Sequence, residues 1–361
     1  MFRALVRAAA PAALLLAFST LAHAASGPST FSIVAYDSVT QELGVAVQSR
    51  AFSVGMAVPW AEAGVGAIAT QASTNESFGP QGLALLRKGK AAPVVMRALL
   101  DADSGFAHRQ LGVVDTRGRS ANFTGKLCSD WAGGVTGPGY SIQGNILAGD
   151  AVVKGMERAY LDTKGELAER LLAALVAGQA AGGDKRGMES AAIVVVRPSD
   201  QYPEYRTRYV DLRVEDHKDP INELIRVYRL LEAQRLAEAH LRFAALYDKQ
   251  GKKDLAAMER ERVAESLEHA LARKDVDAST LNGLAWTCAT AGVHLPQALQ
   301  AAERAVALEP KNAEILDTLA EVHYRSGNAA KAIDVETQAL TYSPNDQYLK
   351  DQIARFKSGT K

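Results

Sequence analysis

Hydrophobic and polar positions divide the chain into two parts with different periods. From Thr30 to about Asp216, short apolar β-type runs alternate with stretches in which apolar residues have a helical spacing. From Asp219 onward the helical spacing continues almost without interruption, and Asp219 followed by Pro220 is typical of a helix N-cap and first turn. We therefore predict two domains that meet near residue 217.

The first part has an element order that favours antiparallel sheets. Consecutive β-type runs joined by short turn segments predict hairpins, whose strands pair antiparallel. In chain order the predicted elements are strands at 30–37, 42–50 and 63–72, two short helices broken at Gly89 and Pro93, a hairpin over 109–125 turning at Arg117 and Gly118, a strand at 140–149, a helical stretch over 150–179, and strands at 190–198 and 207–215. This order predicts two packed sheets covered by helices.

The second part carries an internal repeat. Ala305 and Pro310 recur as Ala339 and Pro344, a period of 34 residues, and the repeat is clearest over 280–346. This is the period of a tetratricopeptide helix–turn–helix unit. Such units stack around a continuous core and leave a concave surface that usually holds a peptide or protein segment. We expect a protein or peptide partner there; the alternative is a generic helical bundle with chance self-similarity.

The first 24 residues have the three parts of a secretory signal peptide. Arg3 and Arg7 precede an apolar run, and a small-x-small triplet ends at Ala24. The apolar run is too short to span a bilayer comfortably, so a retained membrane anchor is the less favoured alternative. We expect cleavage after Ala24 and a periplasmic or secreted protein, with one domain over 25–217 and a second over 218–361.

Composition and charge exclude several classes of function. The 41 basic and 41 acidic residues balance, and no lysine and arginine run is long enough to follow a phosphate backbone, so nucleic-acid binding is not expected. The seven histidines are scattered, and no zinc, phosphate-loop or serine-hydrolase motif occurs, so no metal or cofactor is expected. Cys128 and Cys288 fall in different predicted domains, which favours free, buried thiols over a disulfide.

Several motifs of the first part occur together in the order of a known family. TFSIVAYD, GVAVQSRAFSVG, VPWAEAGVGAIATQA and RQLGVVD, followed by WAGG and QGN, strongly resemble the bacterial family called domain of unknown function 1028. The likeness covers residues 30 to about 216. That family is similar in fold to the N-terminal-nucleophile (Ntn) hydrolases. The resemblance therefore implies an α+β fold class, a four-layer αββα sandwich, followed here by the all-α tetratricopeptide-like repeat domain.

The same resemblance implies a candidate nucleophile, Thr30. In Ntn hydrolases the first residue of the first strand attacks an amide carbonyl, and its own α-amino group acts as the base. A free α-amino group has a pKa of roughly 7.7–8.0 and can accept a proton near neutrality, whereas a peptide nitrogen cannot. Cleavage after Ala24 leaves five residues, ASGPS, ahead of Thr30. The mechanism therefore requires a further cut between Ser29 and Thr30.

Four further candidate residues lie on the first two predicted strands. Ser32 shares a strand face with Thr30. The segment GVAVQSR resembles the second strand of proteasome-type members, which implies that Gln48, Ser49 and Arg50 lie near the nucleophile as orienting or charge-stabilising groups. The sequence departs from that pattern in VPWAEAGVGAIATQA, which has no lysine where proteasome-type members have one.

Two side-chain amides are candidate donors to a developing oxyanion. Asn75 ends ATQASTN and Asn145 lies in QGN, both at predicted strand ends. The alternative for each is a turn amide bonded to the backbone.

The first hypothesis for the function is thus an exported Ntn-type amidohydrolase that acts on a small amide or peptide. The second is a non-catalytic binding or scaffold protein, which the missing lysine and the internal position of Thr30 favour.

Overall fold

The computed structural model describes residues 30–198 and 207–359. The predicted signal peptide, its cleavage site and the five residues before Thr30 lie outside the described residues. Within the described ranges, no helix combines the length and the apolar character that a membrane span requires. The described residues form a two-sheet domain and a helical domain.

Two antiparallel sheets stack face to face in the first domain. Their strands are β1 (Thr30–Tyr36), β2 (Leu43–Ser49), β3 (Pro59–Glu62), β4 (Gly66–Ala72), β5 (Arg109–Asp115), β6 (Ser120–Thr124), β7 (Gly133–Gly137), β8 (Tyr140–Asn145), β9 (Ser190–Val196) and β10 (Arg208–Val214). The larger sheet has the order β10-β9-β2-β1-β8-β7, and the smaller has the order β3-β4-β5-β6. β1, β2 and β9 are buried along almost their whole length, which explains their near-continuous apolar sequences.

Helices cover the outer face of each sheet. These are α1 (Phe78–Arg87) and α2 (Ala92–Asp101) on the smaller sheet, and α3 (Asp150–Asp162) and α4 (Leu167–Ala180) on the larger one. Leu99 of α2 packs with Ile68 and Leu111 of the smaller sheet, and Leu171 of α4 packs with Ile33 of the larger sheet. The layer order αββα confirms the predicted four-layer sandwich.

Three elements differ from the pattern-based prediction. The helical stretch predicted over 150–179 is two helices, because the backbone is extended at Thr163 and Gly165 then adopts a φ of +101° before α4 begins. Strands β3 and β7 were not predicted, since both are short edge strands. Pro59 begins β3, and β7 is rich in glycine, so neither carries the β-branched alternation of a typical strand.

The helical domain consists of antiparallel helix pairs. Its helices are α5 (Pro220–Leu231), α6 (Ala237–Lys249), α7 (Lys253–Ala272), α8 (Ala278–Ala291), α9 (Leu295–Leu308), α10 (Ala313–Arg325), α11 (Ala329–Tyr342) and α12 (Gln347–Ser358). Ala305 and Ala339, the residues that match across the 34-residue period, are both fully buried between helices. Their small side chains allow the paired helices to approach closely. The pairs α8–α9 and α10–α11 form the predicted tetratricopeptide-like units.

The two domains share buried surface. α5 packs on β9 and β10, and its residues Ile221, Leu224 and Tyr228 belong to the same core as the helices over the larger sheet. A π-helical turn, Glu232–Leu236, connects α5 to α6 without a break. The repeat units therefore extend from a helix that is part of the first domain's core.

Candidate active site

Thr30 opens β1 near the middle of the larger sheet. It pairs in register with Ser49 at the end of β2 and with Asn145 at the end of β8. Because side chains alternate along a strand, these three paired residues present their side chains to the same face. Thr30 is 2% exposed, and its Oγ1 lies 3.1 Å from Ser49 Oγ. The structure thus brings together three of the residues that the sequence singled out.

Buried amide side chains surround Thr30 between the two sheets. Gln71 Nε2, from the smaller sheet, donates to the carbonyl oxygen of Thr30 at 3.2 Å and to Gln110 Oε1 at 2.7 Å. Asn145 Nδ2 donates to the same Gln110 oxygen at 2.9 Å. The hydroxyl of Ser32 donates to Gln71 Oε1 at 2.6 Å. The second sheet therefore holds both the backbone of Thr30 and the amide of Asn145 in place.

The buried side chains of Gln71, Gln110, Asn145 and Gln143 form a continuous amide layer, and Gln143 lies at the end of it that is farther from Thr30. Gln143 Nε2 donates to Ser32 Oγ at 2.6 Å, and Gln143 Oε1 accepts from Asn122 at 2.9 Å and from Ser141 at 2.8 Å. Gly112 makes room for this side chain, since a Cβ at that position would lie 2.4 Å from Gln143 Oε1. The layer consists of neutral groups whose donors and acceptors satisfy one another, as buried polar groups require.

Gln48 lies outside this cluster, which corrects the expectation that it would orient the nucleophile. It pairs in register with Phe31, and Phe31 packs against the helices over the larger sheet. Since adjacent residues of a strand point to opposite faces, Gln48 points away from the face that carries Ser49. It is fully buried, and its side-chain atoms have no hydrogen-bond partner among the described residues.

Arg50 and Asn75 are engaged by their own loops. The guanidinium of Arg50 pairs with Glu189, and its backbone N–H donates to Asp184 Oδ2 at 3.0 Å. Asn75 Oδ1 accepts from the backbone N–H of Ser77 at 3.2 Å and from its hydroxyl at 2.7 Å. These are the contacts of a turn amide, the alternative role considered for Asn75. Neither side chain is directed to Thr30 by any of these bonds.

An ion pair holds the loop at this end of the smaller sheet. Arg109 Nε lies 2.6 Å from Asp103 Oδ2, and Arg109 Nη1 donates to the carbonyl oxygen of Ser73 at 2.6 Å. The hydrogen bond from Arg109 lowers the pKa of Asp103 below its ordinary value. The pair therefore stays ionised and fastens the segment after β4 to the start of β5. In the described part of the chain, no ionisable side chain hydrogen-bonds to Thr30 Oγ1.

Two residues with left-handed backbone conformations follow the amide layer directly. Ala72, after Gln71, has a φ of 67°, and Ile146, after Asn145, has a φ of 55°. This region is disfavoured for residues with a Cβ, and most strongly for a β-branched one. The backbone N–H of Ile146 donates to the Ser129 carbonyl at 3.0 Å, which helps to hold the conformation. Strain of this kind concentrates at functional sites.

Gln71, Gln110 and Gln143 were not among the site residues predicted from the sequence. For Gln71 the alternation of residues along β4 carried a signal. In β4, Ala67 and Ala69 face the other sheet, and Gln71 continues that inward-facing series with a polar group. A buried amide at an inward position needs a partner, and here the partners come from the facing sheet.

One group of described residues has side-chain atoms close enough to hold a metal ion: Glu169, Glu232 and His269. Arg229 Nη1 already donates to Glu169 and Glu232 at 2.8 Å each, and it lies 2.9 Å from His269 Nδ1. The guanidinium therefore occupies the place that a metal cation would take, and we assign no metal role to this group.

Comparison with known proteins gives a matching family and a number of similar solved structures, among them the following two. The sequence profile of the family described as "Family of unknown function (DUF1028)" matches residues 30–224. The crystal structure of protein SPO2555 from Silicibacter pomeroyi, also assigned to DUF1028, is 33% identical and has a TM-score of 0.52, covering 56% of this chain and 86% of that chain. The NMR structure of the first TPR domain of human RPAP3 is 15% identical and has a TM-score of 0.25, covering 36% of this chain and 93% of that chain. No curated protein matches the chain.

Proposed function

The chain belongs to the DUF1028 family, and from that premise and the surroundings of Thr30 we propose that it is an exported amide-bond hydrolase of the N-terminal-nucleophile type. One observation carries the proposal. The hydroxyl of Thr30, at the first position of a central strand, lies 3.1 Å from the hydroxyl of Ser49. The amide layer holds the backbone of the same residue through Gln71. Its substrate is a small amide or a peptide.

The proposed reaction begins with a cut between Ser29 and Thr30 that frees the α-amino group of Thr30. Thr30 Oγ1 then attacks the carbonyl carbon of the substrate amide, and its proton passes to that amine. Breakdown of the tetrahedral intermediate transfers the proton to the leaving amine and leaves an ester on Oγ1. Water, activated by the same α-amino group, hydrolyses the ester, releases the acid and restores the hydroxyl.

The surrounding residues have distinct roles in this proposal. The Ser49 hydroxyl orients Thr30 Oγ1, and Gln71 holds the Thr30 backbone through its carbonyl oxygen. Gln110 accepts from Asn145 and so fixes the orientation of that amide, which is in register with Thr30 and is the candidate donor to the oxyanion. Because every group named here is neutral, the α-amine is the base that the reaction depends on.

That neutrality also favours a second candidate function, a non-catalytic binding or scaffold protein. If Thr30 keeps its peptide bond to Ser29, the described residues place no ionisable side chain on Thr30 Oγ1 to serve as a base. The sandwich would then serve as a stable platform, and the helical repeats would be the working surface. The two functions differ in whether the peptide bond between Ser29 and Thr30 is cut.

The N-terminal residue of the exported protein separates the two functions. We expect intact mass and N-terminal sequencing of the periplasmic protein to show a chain that begins at Thr30. In a separate assay this chain should hydrolyse small chromogenic amides. Thr30→Ala should lower that rate more than about 100-fold, and Ser49→Ala about tenfold, while Thr136→Ala, on an exposed position of β7, should leave it unchanged. A chain that begins at Ala25 and stays uncut would contradict the hydrolase.

A further inference from the structure

A cavity of about 460 Å³ lies in the helical domain, between the first helices of consecutive repeat units and the start of α12. α8 and α10 form two of its walls, and the segment that leads into α12 closes the third side. Its lining residues are Asn282, Trp286, Ala313, Glu314, Asp317, Thr318, Ser343, Asp346, Tyr348 and Leu349. First helices line the inner surface of such repeat stacks, so the cavity is part of the surface on which a partner is expected.

The charge of this cavity is negative. Glu314, Asp317 and Asp346 contribute carboxylates, and the described lining contains no lysine, arginine or histidine. The nearby cations have other partners: Arg325 Nε lies 2.7 Å from Glu321, and Arg355 pairs with that same carboxylate. Among the described residues, no lysine, arginine or histidine therefore forms an ion pair with Glu314, Asp317 or Asp346.

Two buried carboxyl groups meet at the wall of the cavity. Asp317 is 7% exposed, and Glu336 behind it is fully buried. Neither forms an ion pair with a basic side chain of the described residues, so the two carboxyl groups depend on a proton shared between them and on the Tyr348 hydroxyl. An ammonium or guanidinium group from a bound partner would supply Asp317 with stronger donors.

We propose that this cavity binds the basic side chain, lysine or arginine, of a peptide or protein partner. The cation supplies donors to Asp317 and neutralises the carboxylates around it. The aromatic rings of Trp286 and Tyr348 line the same space and offer faces for the cation and its aliphatic stem. The site uses only the helical domain and does not depend on the proposed hydrolysis.

The protonation of the two buried carboxyl groups is consistent with this occupant. Burial and the neighbouring Asp317 raise the pKa of Glu336, and burial raises the pKa of Asp317. Without a bound cation, Glu336 therefore holds a proton that it shares with Asp317. A cation at Asp317 replaces the stabilising effect of that proton, so binding and proton release are coupled.

Binding of a labelled peptide tests the proposal. The probe is a fluorescein-labelled peptide of alternating lysine and glycine, measured by fluorescence anisotropy with the full chain in about 0.15 M salt, and the control peptide has glutamine in place of lysine. We expect the lysine peptide to bind at least about tenfold more tightly than the glutamine peptide, and Asp317→Asn to weaken it about tenfold. Asp334→Asn removes an exposed carboxylate from α11 and should leave the affinity unchanged.

Several results would overturn the proposal. These are equal binding of the two peptides, no binding of either at millimolar concentration, or equal losses for Asp317→Asn and Asp334→Asn, which would indicate general charge attraction. Circular dichroism checks that Asp317→Asn folds. If that variant does not fold, Glu314→Gln at the rim of the cavity takes its place, and its failure to weaken the lysine peptide counts against the site.

Discussion

The imidazole of His240 in the helical domain lies with its Nε2 2.7 Å from Glu166 Oε1 at the start of α4 in the first domain. Its Nδ1 lies 2.8 Å from Glu259 Oε2 in α7, and His240 is only 1% exposed. Burial by itself would lower the pKa of His240, but the two carboxylates outweigh that effect and raise it to about 9. A protonated histidine therefore joins the two domains at neutral pH.

Two arginines complete this buried cluster at the domain boundary. Arg197 Nη2 lies 2.6 Å from Glu259 Oε1, and its Nη1 lies 3.2 Å from Glu42 Oε1. Arg262 lies 3.3 Å from Glu259. With His240 protonated, three cations face three carboxyl groups, those of Glu42, Glu166 and Glu259. Burial raises the pKa of Glu42, although Arg197 and Arg262 oppose that rise.

We predict that stability falls on the alkaline side because of His240. A histidine whose pKa is raised in the folded state contributes stability that is fully present below its unfolded value of about 6.5 and is lost as the pH rises toward about 9. In urea titrations His240 should lower the free energy of unfolding by at most about 1.4 kcal/mol per pH unit in that window, in addition to the fall that Glu336 causes. His240→Gln should be less stable at pH 6, and its free energy of unfolding should fall less steeply with pH than that of wild type.

His108→Gln, at an exposed position, is the matched control and should keep the wild-type slope. A His240→Gln variant with an unchanged alkaline slope would show that His240 does not contribute to the fall. On the acid side, burial would raise the pKa of Glu166, but His240 and Arg262 lower it. Its contribution should therefore be lost as the pH falls below about 4.5.

We predict that Arg197→Met destabilises the protein by about 3–5 kcal/mol, because it leaves Glu42 and Glu259 buried without their cation. Arg197 also lies 3.6 Å from the ring centroid of Phe243, so part of its contact with the helical domain is lost. Chemical denaturation measures the change. Arg208→Met removes an exposed arginine that pairs with Asp211 and should cost less than about 1 kcal/mol; equal losses would count against a special role for the cluster.

We predict that Glu336→Gln stabilises the helical domain. A carboxyl whose pKa is raised in the folded state costs stability above its ordinary value of 4.5, because the unfolded chain ionises while the folded chain does not. Glutamine keeps a donor toward Asp317 without that cost. Thermal or urea unfolding should give a gain of more than about 1 kcal/mol at pH 7.5, which grows with pH from about 5 to 8. A variant that is less stable than wild type at pH 7.5 would refute this.

We predict that Gly112→Ala destabilises the sandwich by about 1–3 kcal/mol. The added Cβ would lie 2.4 Å from Gln143 Oε1. This oxygen cannot shift without weakening its hydrogen bonds from Asn122 and Ser141. Gly283→Ala is the control: this glycine lies in α8 with nothing within 4 Å of the added Cβ, so the substitution should be neutral or stabilise by up to about 1 kcal/mol. Melting temperatures of the two variants compare these effects directly, and a Gly112→Ala protein as stable as wild type would contradict the packing argument.

Local patterns predicted the parts of this protein that depend on near neighbours along the chain. The alternation of apolar and polar residues placed the hairpins, and the 34-residue period located the paired helices. The same alternation put Thr30 and Ser32 on one strand face. It missed the consequence for Gln48, which must face away because Ser49, its neighbour, faces Thr30.

The sequence alone therefore determined most of the elements, the order of the two domains and the position of Thr30 at the start of a strand. Only the tertiary structure decided which groups meet: Gln143 bonds to Ser32 across 111 residues, and Arg197 to Glu259 across 62. Helical and strand periods arise from backbone geometry within a few residues, so a short stretch of sequence is enough to recognise them. Burial of amides and charges depends on partners from other elements, and no local pattern specifies which element will supply them.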